Sequence, residues 1–482
     1  MPPTALPEII QGGMGIGVSD YRMARAVSLL GELGVVSATA LDSVIVRRLQ
    51  DGDLGGHLRR AMERFPIPGV AATVLRRYFL PEGRAAGTPY KLLPMYRQVV
   101  TRSRQQLTMV ASFVEVYLAK EGHGGVVGVN LLTKIQLPNL AMLYGAMLAS
   151  VDVVLMGAGI PKDVPAVLDA FSTHQPAVLR MEVEGLPAGV SEVVTFDPGV
   201  HWPEGQVPAP LHRPQFLAIV ASNSLATMLA RKASSKVNGF IVEGPTAGGH
   251  NAPPRGETQL NAKGEPIYGE RDEVDLAKLC ELGVPFWLAG GTGSPAALAS
   301  ARAAGAAGIQ VGTLFAFCEE SGFTHEIKQS VLRAAARGEV EVFTDPRASP
   351  TGYPFKVVRW PEDPTAGEAE PRERVCDLGY LRTAYHLPDG RIGYRCPAEP
   401  VETYVAKGGA AQDTEGRRCL CNALLANIGQ PQERADGRLE PALITSGDDL
   451  AGITRFLRGR EHYTAAEVIA YLRSGSSPTP ES

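Results

Sequence analysis

From Ile9 to about Cys318 the chain alternates short β-branched apolar runs with longer stretches of helical periodicity, and most of the short runs end in Gly, Asn or Ser. Such alternation marks βα units around a parallel sheet. The candidate strands are 9–11, 35–38, 126–129, 151–156, 177–183, 216–221, 240–242, 286–289 and 309–311. That is one more than a closed eight-stranded barrel takes. Gly185, Pro187 and Gly189 follow the fifth run and a short apolar run, 193–196, comes next, so this pair reads as a hairpin excursion outside the ring. The expected fold is α/β, a (β/α)8 TIM barrel over residues 1–322.

Two stretches depart from that rhythm. Between residues 51 and 122 the pattern is helical, notably over 96–107 and 109–120, and too long for one crossover, which predicts a helical insertion at about 54–120. Tyr78, Phe79, Tyr90 and Tyr96 fall there and are expected to pack its own core rather than shape a pocket. Beyond Gly322 the βα pattern stops: 326–338 reads as a helix, 345–367 is rich in Pro and Gly, and 465–473 reads as a final helix with Thr464 as its N-cap. Residues 323–474 are expected to form a C-terminal accessory unit of α+β type, with a disordered tail at 475–482.

Composition narrows the class without changing the fold. With 44% hydrophobic and 20% charged residues the chain has the profile of a globular protein. Its 47 Lys+Arg against 51 Asp+Glu, with no basic block, lack the electrostatic footprint of a nucleic-acid binder. The N-terminus has neither a charged start nor an apolar run, and no stretch approaches a membrane span, so a cytoplasmic protein with a small-molecule substrate is expected.

Candidate chemistry gathers at the glycine-rich strand ends. These are Gly12-Gly13-Met14-Gly15, Gly157-Ala158-Gly159, Gly290-Gly291-Thr292 and Gly312-Thr313. In a (β/α)8 barrel such positions face the active-site mouth, where glycine lets a phosphate or a flat ring approach the backbone. The last two come from consecutive units, and phosphate sites on this fold are frequently built after strands 7 and 8. A dinucleotide reading fails on spacing, since Gly12, Gly13, Gly15 and Gly17 do not make G-x-G-x-x-G. The segment 239–250, GFIVEGPTAGGH, carries Gly249 and His250 from a buried strand to the mouth, where an imidazole suits general acid or base work.

These pieces, in their order, resemble the nitronate monooxygenase (2-nitropropane dioxygenase-like) family, which includes flavin-dependent enoyl-ACP reductases. The matching segments are 11–15 (QGGMG), 128–130 (GVN), 157–159 (GAG), 247–250 (AGGH), 289–292 (AGGT) and 310–315 (QVGTLF), within residues 7–320. The resemblance implies a TIM barrel, bound FMN and a catalytic histidine, His250. It also implies that Gly12, Gly13 and Met14 lie against the isoalloxazine ring, that Asn130 contacts flavin or substrate, and that Ser222 lies near the ribityl chain. Gly290, Gly291, Gly312 and Thr313 would hold the phosphate, with Gly249 beside the cofactor. Three departures bear on the reaction: Thr246 stands where the family often has an acidic residue, no lysine follows 216–221, and the part beyond Gly322 exceeds what compact members require.

Two reactions follow from the resemblance. The first is oxidation of alkyl nitronates with O2, His250 removing the α-proton from a neutral nitroalkane. The second is NAD(P)H-dependent FMN reduction of enoyl thioesters in fatty-acid or polyketide synthesis, for which an acyl carrier protein would be a partner. A non-catalytic flavin-binding scaffold is a third reading. No nucleic acid or membrane partner is expected, and homo-oligomerisation is left open. Cys376, Cys396, Cys419 and Cys421 fall in a region short of long apolar runs, where a metal staple is one option. Their irregular spacing favours ordinary thiols, so no metal is assigned.

Overall fold

The computed structural model describes residues 6–206, 208–363 and 372–474. In chain order the first strands are β1 (Ile9–Gln11), β2 (Gly34–Ser37), β3 (Val127–Leu132), β4 (Val153–Gly157), β5 (Ala177–Met181), β6 (Val183–Glu184), β7 (Glu192–Phe196), β8 (Gln215–Val220), β9 (Gly239–Glu243), β10 (Phe286–Ala289) and β11 (Gly308–Val311). Eight of them form one parallel sheet in the order β1-β11-β10-β9-β8-β4-β3-β2. The ring closes between β1 and β2 by an Ile10–Leu33 bridge, with Gln11 N–H donating to Leu33 O at 2.9 Å and Leu33 N–H to Ile9 O at 3.2 Å. The fully buried Gln11 side chain extends this seam, its Oε1 accepting from Val35 N–H at 2.9 Å. This is the (β/α)8 TIM barrel that the βα rhythm predicts.

The strands read as continuous apolar runs because both of their faces are covered. Ile10, Val35, Val153, Leu155, Leu217, Ile241 and Trp287 fill the interior of the ring. Their neighbours in sequence, Ile9, Val36, Val154, Phe216 and Phe240, point outward against the helical layer. Strands β5 and β7 pair antiparallel, Ala177 opposite Phe196, and stand outside the ring as the Gly/Pro-rich connection suggests.

The 54–120 stretch is less uniformly helical than its pattern. Helices span His57–Met62, Val70–Tyr78 and Arg102–Lys120, while 79–101 contains no helix. The helix expected at 96–107 begins only at Arg102, where the Thr101 hydroxyl accepts from Arg104 N–H and fixes its start. Tyr78, Tyr90 and Tyr96 are buried in packing and do not line the mouth; the Tyr96 hydroxyl donates to Asp42 at 2.6 Å.

After β11 the chain forms a helix His325–Ala336, a hairpin of β12 (Glu341–Asp345) and β13 (Phe355–Arg359), and a second pair, β14 (Thr383–His386) and β15 (Ile392–Arg395). Strand β14 also pairs with β6 of the excursion. A separate apolar cluster joins this part to the mouth, with Phe355, Leu381, Leu420 and Leu424 packed among Ile16, Val44 and Ile135. The last helix, Ala465–Arg473, has the expected boundaries and a capping box between Thr464 and Glu467. The tail at 475–482 lies outside the described residues. Among the described residues no helix is long and apolar enough to cross a membrane.

Candidate active site

A cavity of about 410 Å³ opens at the carboxyl ends of the barrel strands. Gly12, Gly13 and Met14 after β1, Asn130 in β3, Gly249 and His250 after β9, Gly290 and Gly291 after β10, and Gly312 and Thr313 after β11 all line it. Ser222 does not. Its hydroxyl caps the helix Asn223–Lys232 by accepting from Leu225 N–H at 3.1 Å, and its neighbour Ala221 takes the place on the wall.

The glycines are there because side chains would not fit. A Cβ on Gly13 would run into Asn130 Cβ, and Gly290, at φ +92°, would place one 2.9 Å from both Ala247 N and Thr246 Oγ1. Beside this bare backbone, Asn130 Oδ1 and Gln310 Oε1 are buried without a hydrogen-bond partner. Buried acceptors left unpaired are costly. A flat heteroaromatic ring lying on the Gly12–Gly13 backbone and donating a ring N–H to one of these acceptors suits this wall, so the residues present fit a flavin.

His250 is held by the chain that follows the barrel. Lys356 N–H donates to Gly249 O and Asn251 N–H to Pro354 O, both at 2.9 Å, so the histidine loop pairs with the start of β13. On its other side Gly249 N–H donates to Thr445 Oγ1 at 2.8 Å and Asp448 N–H to Thr246 O at 3.0 Å. The imidazole Nε2 lies 2.7 Å from Ser349 Oγ, which lies 2.8 Å from Thr351 Oγ1, and the ring meets Phe355 edge-on at 4.8 Å. Burial pushes the His250 pKa down to about 4 and that of Glu243, the last residue of β9, up to about 7. What exposure either retains is to the cavity, which both line.

Sequence reasoning missed Ser349, Thr445, Asp449 and Gln310 as site residues, and left Glu243 without a role. For Glu243 a signal existed, an acid closing an apolar strand directly before the histidine loop. Ser349 and Asp449 lie in aperiodic segments that gave no such cue. Cys376, Cys396, Cys419 and Cys421, all free thiols, converge on a second, closed cavity of about 10 Å³ behind the wall formed by Leu381 and Leu420.

A TIM barrel with a glycine-lined mouth, unpaired acceptors at its wall and one half-buried imidazole has the site of a small-molecule binding barrel suited to a flat cofactor. Residues 180–347, which include β8 to β11 and the histidine loop, match the family model for nitronate monooxygenase. A nitronate monooxygenase from Paraburkholderia phytofirmans is 29% identical over 181 residues, 38% of this chain. That match spans 46% of the relative's own length. The similarity to the nitronate monooxygenase family is thus carried by this part of the barrel. Among solved structures, FabK from Thermotoga maritima is 17% identical with a TM-score of 0.46, covering 97% of this chain and 92% of its own. Nitroalkane oxidase from Streptomyces ansochromogenes is 16% identical with a TM-score of 0.44, covering 98% and 96%.

Proposed function

We propose that this chain is an FMN-dependent oxidoreductase that reduces a neutral conjugated carbonyl compound of the enoyl-thioester class, with NAD(P)H as electron donor. The observation that carries the substrate reading is the charge of the wall. Among the described residues lining the cavity there is no lysine or arginine, and the groups that titrate near neutrality or below are Glu243, His250 and Asp449. Between about pH 4 and about 7 Glu243 and His250 are both neutral. An anionic nitronate would find no fixed cation there, whereas a neutral substrate loses little on entering.

Bound FMN would supply the two-electron chemistry, hydride exchanged with the substrate. Gly12, Gly13 and Met14 offer the wall for the ring, Asn130 and Gln310 the acceptors beside it, and Gly290, Gly291, Gly312 and Thr313 the backbone for the phosphate. His250 acts as a neutral imidazole. When Ser349 donates to Nε2, the ring proton sits on Nδ1, which then donates to the substrate carbonyl and polarises it. The same depressed basicity makes His250 a poor base for stripping a nitroalkane α-proton.

Nitronate oxidation with O2 is the second reading, favoured by the family match over 180–347. One anaerobic experiment separates the two. The yellow protein should release FMN and not FAD on denaturation, NAD(P)H alone should bleach it, and a conjugated enoyl thioester should restore the colour. Bleaching by a nitronate and not by NAD(P)H would overturn the reductase in favour of the oxidase.

A further inference from the structure

The loops assigned to the cofactor phosphate already serve a carboxylate. Asp449, in the single-turn segment Asp448–Gly452, lines the main cavity and approaches the Gly290–Gly293 and Gly312–Thr313 loops. Thr313 Oγ1 donates to Asp449 Oδ1, and the Gly293 N–H hydrogen-bonds the same carboxylate. The approach is close enough that a Cβ on Gly293 would stand 2.9 Å from Asp449 Oδ2. Gly447 N–H donates to Thr313 Oγ1 at 3.2 Å, which fixes the hydroxyl whose own proton goes to Asp449. A carboxylate and a phosphate both act only as acceptors when ionised, so they compete for these donors. Placed side by side as anions in a buried site they also repel.

We propose that Asp449 controls phosphate binding at this end of the cavity: the phosphate monoester of the cofactor enters only with Asp449 as the neutral acid, which then donates to a phosphate oxygen, so binding takes up one proton. The inference rests on the flavin reading above. Burial raises the Asp449 pKa from its ordinary value, and the Asp448 carboxylate beside it adds to the rise. Asp448 is itself paired with Lys356 at 2.6 Å, and Tyr463, from the segment ahead of the last helix, donates its hydroxyl proton to Leu314 O. Protonation of Asp449 is thus easier than for an ordinary aspartate, despite the hydrogen bonds from Thr313 and Gly293 that favour the anion, and is lost as pH rises.

The test uses the full chain stripped of flavin and titrated with FMN and with riboflavin, which lacks the phosphate, from pH 6 to 8. FMN affinity of the parent protein should fall relative to Asp449→Asn by about tenfold per pH unit, the dependence of a single linked proton. The ionisation of FMN itself is common to both proteins and cancels in that ratio. Riboflavin affinity should be the same in both proteins at every pH. Calorimetry on the parent protein at pH 7, in buffers of different ionisation heat, should show about one proton taken up per FMN bound, which does not depend on how the variant folds. A ratio that is flat with pH, or binding without proton uptake, would overturn the role of Asp449 while leaving the flavin assignment intact. Failure of both flavins to bind either protein would overturn the flavin assignment and the inference together.

Discussion

The barrel and the chain that follows it build the same cavity with different materials. The barrel contributes backbone: Gly12, Gly13, Gly290, Gly291 and Gly312 bring bare peptide groups to the wall, and at Gly13 and Gly290 a Cβ atom would collide with its neighbours. The later segment contributes side chains that act on protons, with Ser349 on His250, Thr445 on Gly249 and Asp449 on Thr313. Strand ends fix where a ligand lies, since their positions are set by the sheet. The later segment supplies hydroxyl and carboxylate partners to groups of the barrel. The barrel can therefore keep its glycine-lined mouth while the part beyond it changes the side chains that face that mouth.

Variants on each side of this divide should fail differently. His250→Ala should lower turnover about 10²–10⁴-fold, the range for a lost acid or base, with flavin still bound. Loss of flavin on that change would erase the distinction between wall and proton machinery. Gly13→Ala should do the opposite. With Asn130 forced aside, flavin affinity should weaken by about 1–3 kcal/mol, the cost of overpacking, measured by fluorescence titration, while His250 is untouched. Ser349→Ala leaves Nε2 without its partner at a cost of about 1–3 kcal/mol. It should lower kcat more than KM and shift the acid limb of the pH–rate profile. A uniform loss without a pH shift would make Ser349 structural only.

Two smaller effects sharpen the comparison. Ser222→Ala should cost about 1 kcal/mol of stability through the lost helix cap and leave flavin binding unchanged, because Ser222 caps Leu225 N–H away from the wall. Weaker flavin binding would return Ser222 to the site. Acidification should also destabilise the hairpin side of the barrel. The buried His201, stacked on Phe196 at 5.1 Å with neither ring nitrogen hydrogen-bonded, has its pKa pushed down to about 4. Its neutral form is favoured when folded, so stability should fall as pH drops from the free-histidine value of about 6.5 toward 4. His201→Phe should remove that part of the loss in a pH series of melting temperatures.

The barrel was legible because its signal is local and repeated. Each strand is an apolar run closed by a glycine or a polar residue, and even the odd pair 177–183 and 193–196 announced itself by the Gly/Pro-rich connection between its halves. The glycine-lined mouth was legible for the same reason, glycine being needed where backbone must be bare. Ser222 was misplaced because a serine at a strand end serves equally as a wall or a helix cap, and the hydrogen bond to Leu225 N–H decides for the cap. Ser349 and Asp449 were invisible because their partners lie far away in sequence, |i−j| 99 to His250 and 136 to Thr313. No local period encodes such pairs. The 96–107 stretch has helical periodicity throughout, yet the helix starts only where the Thr101 hydroxyl accepts from Arg104 N–H.

Those separations also order events during synthesis. Chains emerge from the ribosome at about 5–20 residues per second, and early segments begin folding first. The eight strands of the ring are complete at Val311, yet His250 gains Ser349 only after the hairpin of β12 and β13 begins to form, and Thr313 gains Asp449 later still. For several seconds the nascent barrel has its glycine wall without the residues that govern its protons. During that interval Ile16, Val44 and Ile135, which are buried against Leu420 and Leu424 in the finished protein, lack their cover. The rim of the ring thus stays uncovered until the last part of the chain is made, and the contact of Asp449 with Thr313 is among the last to form.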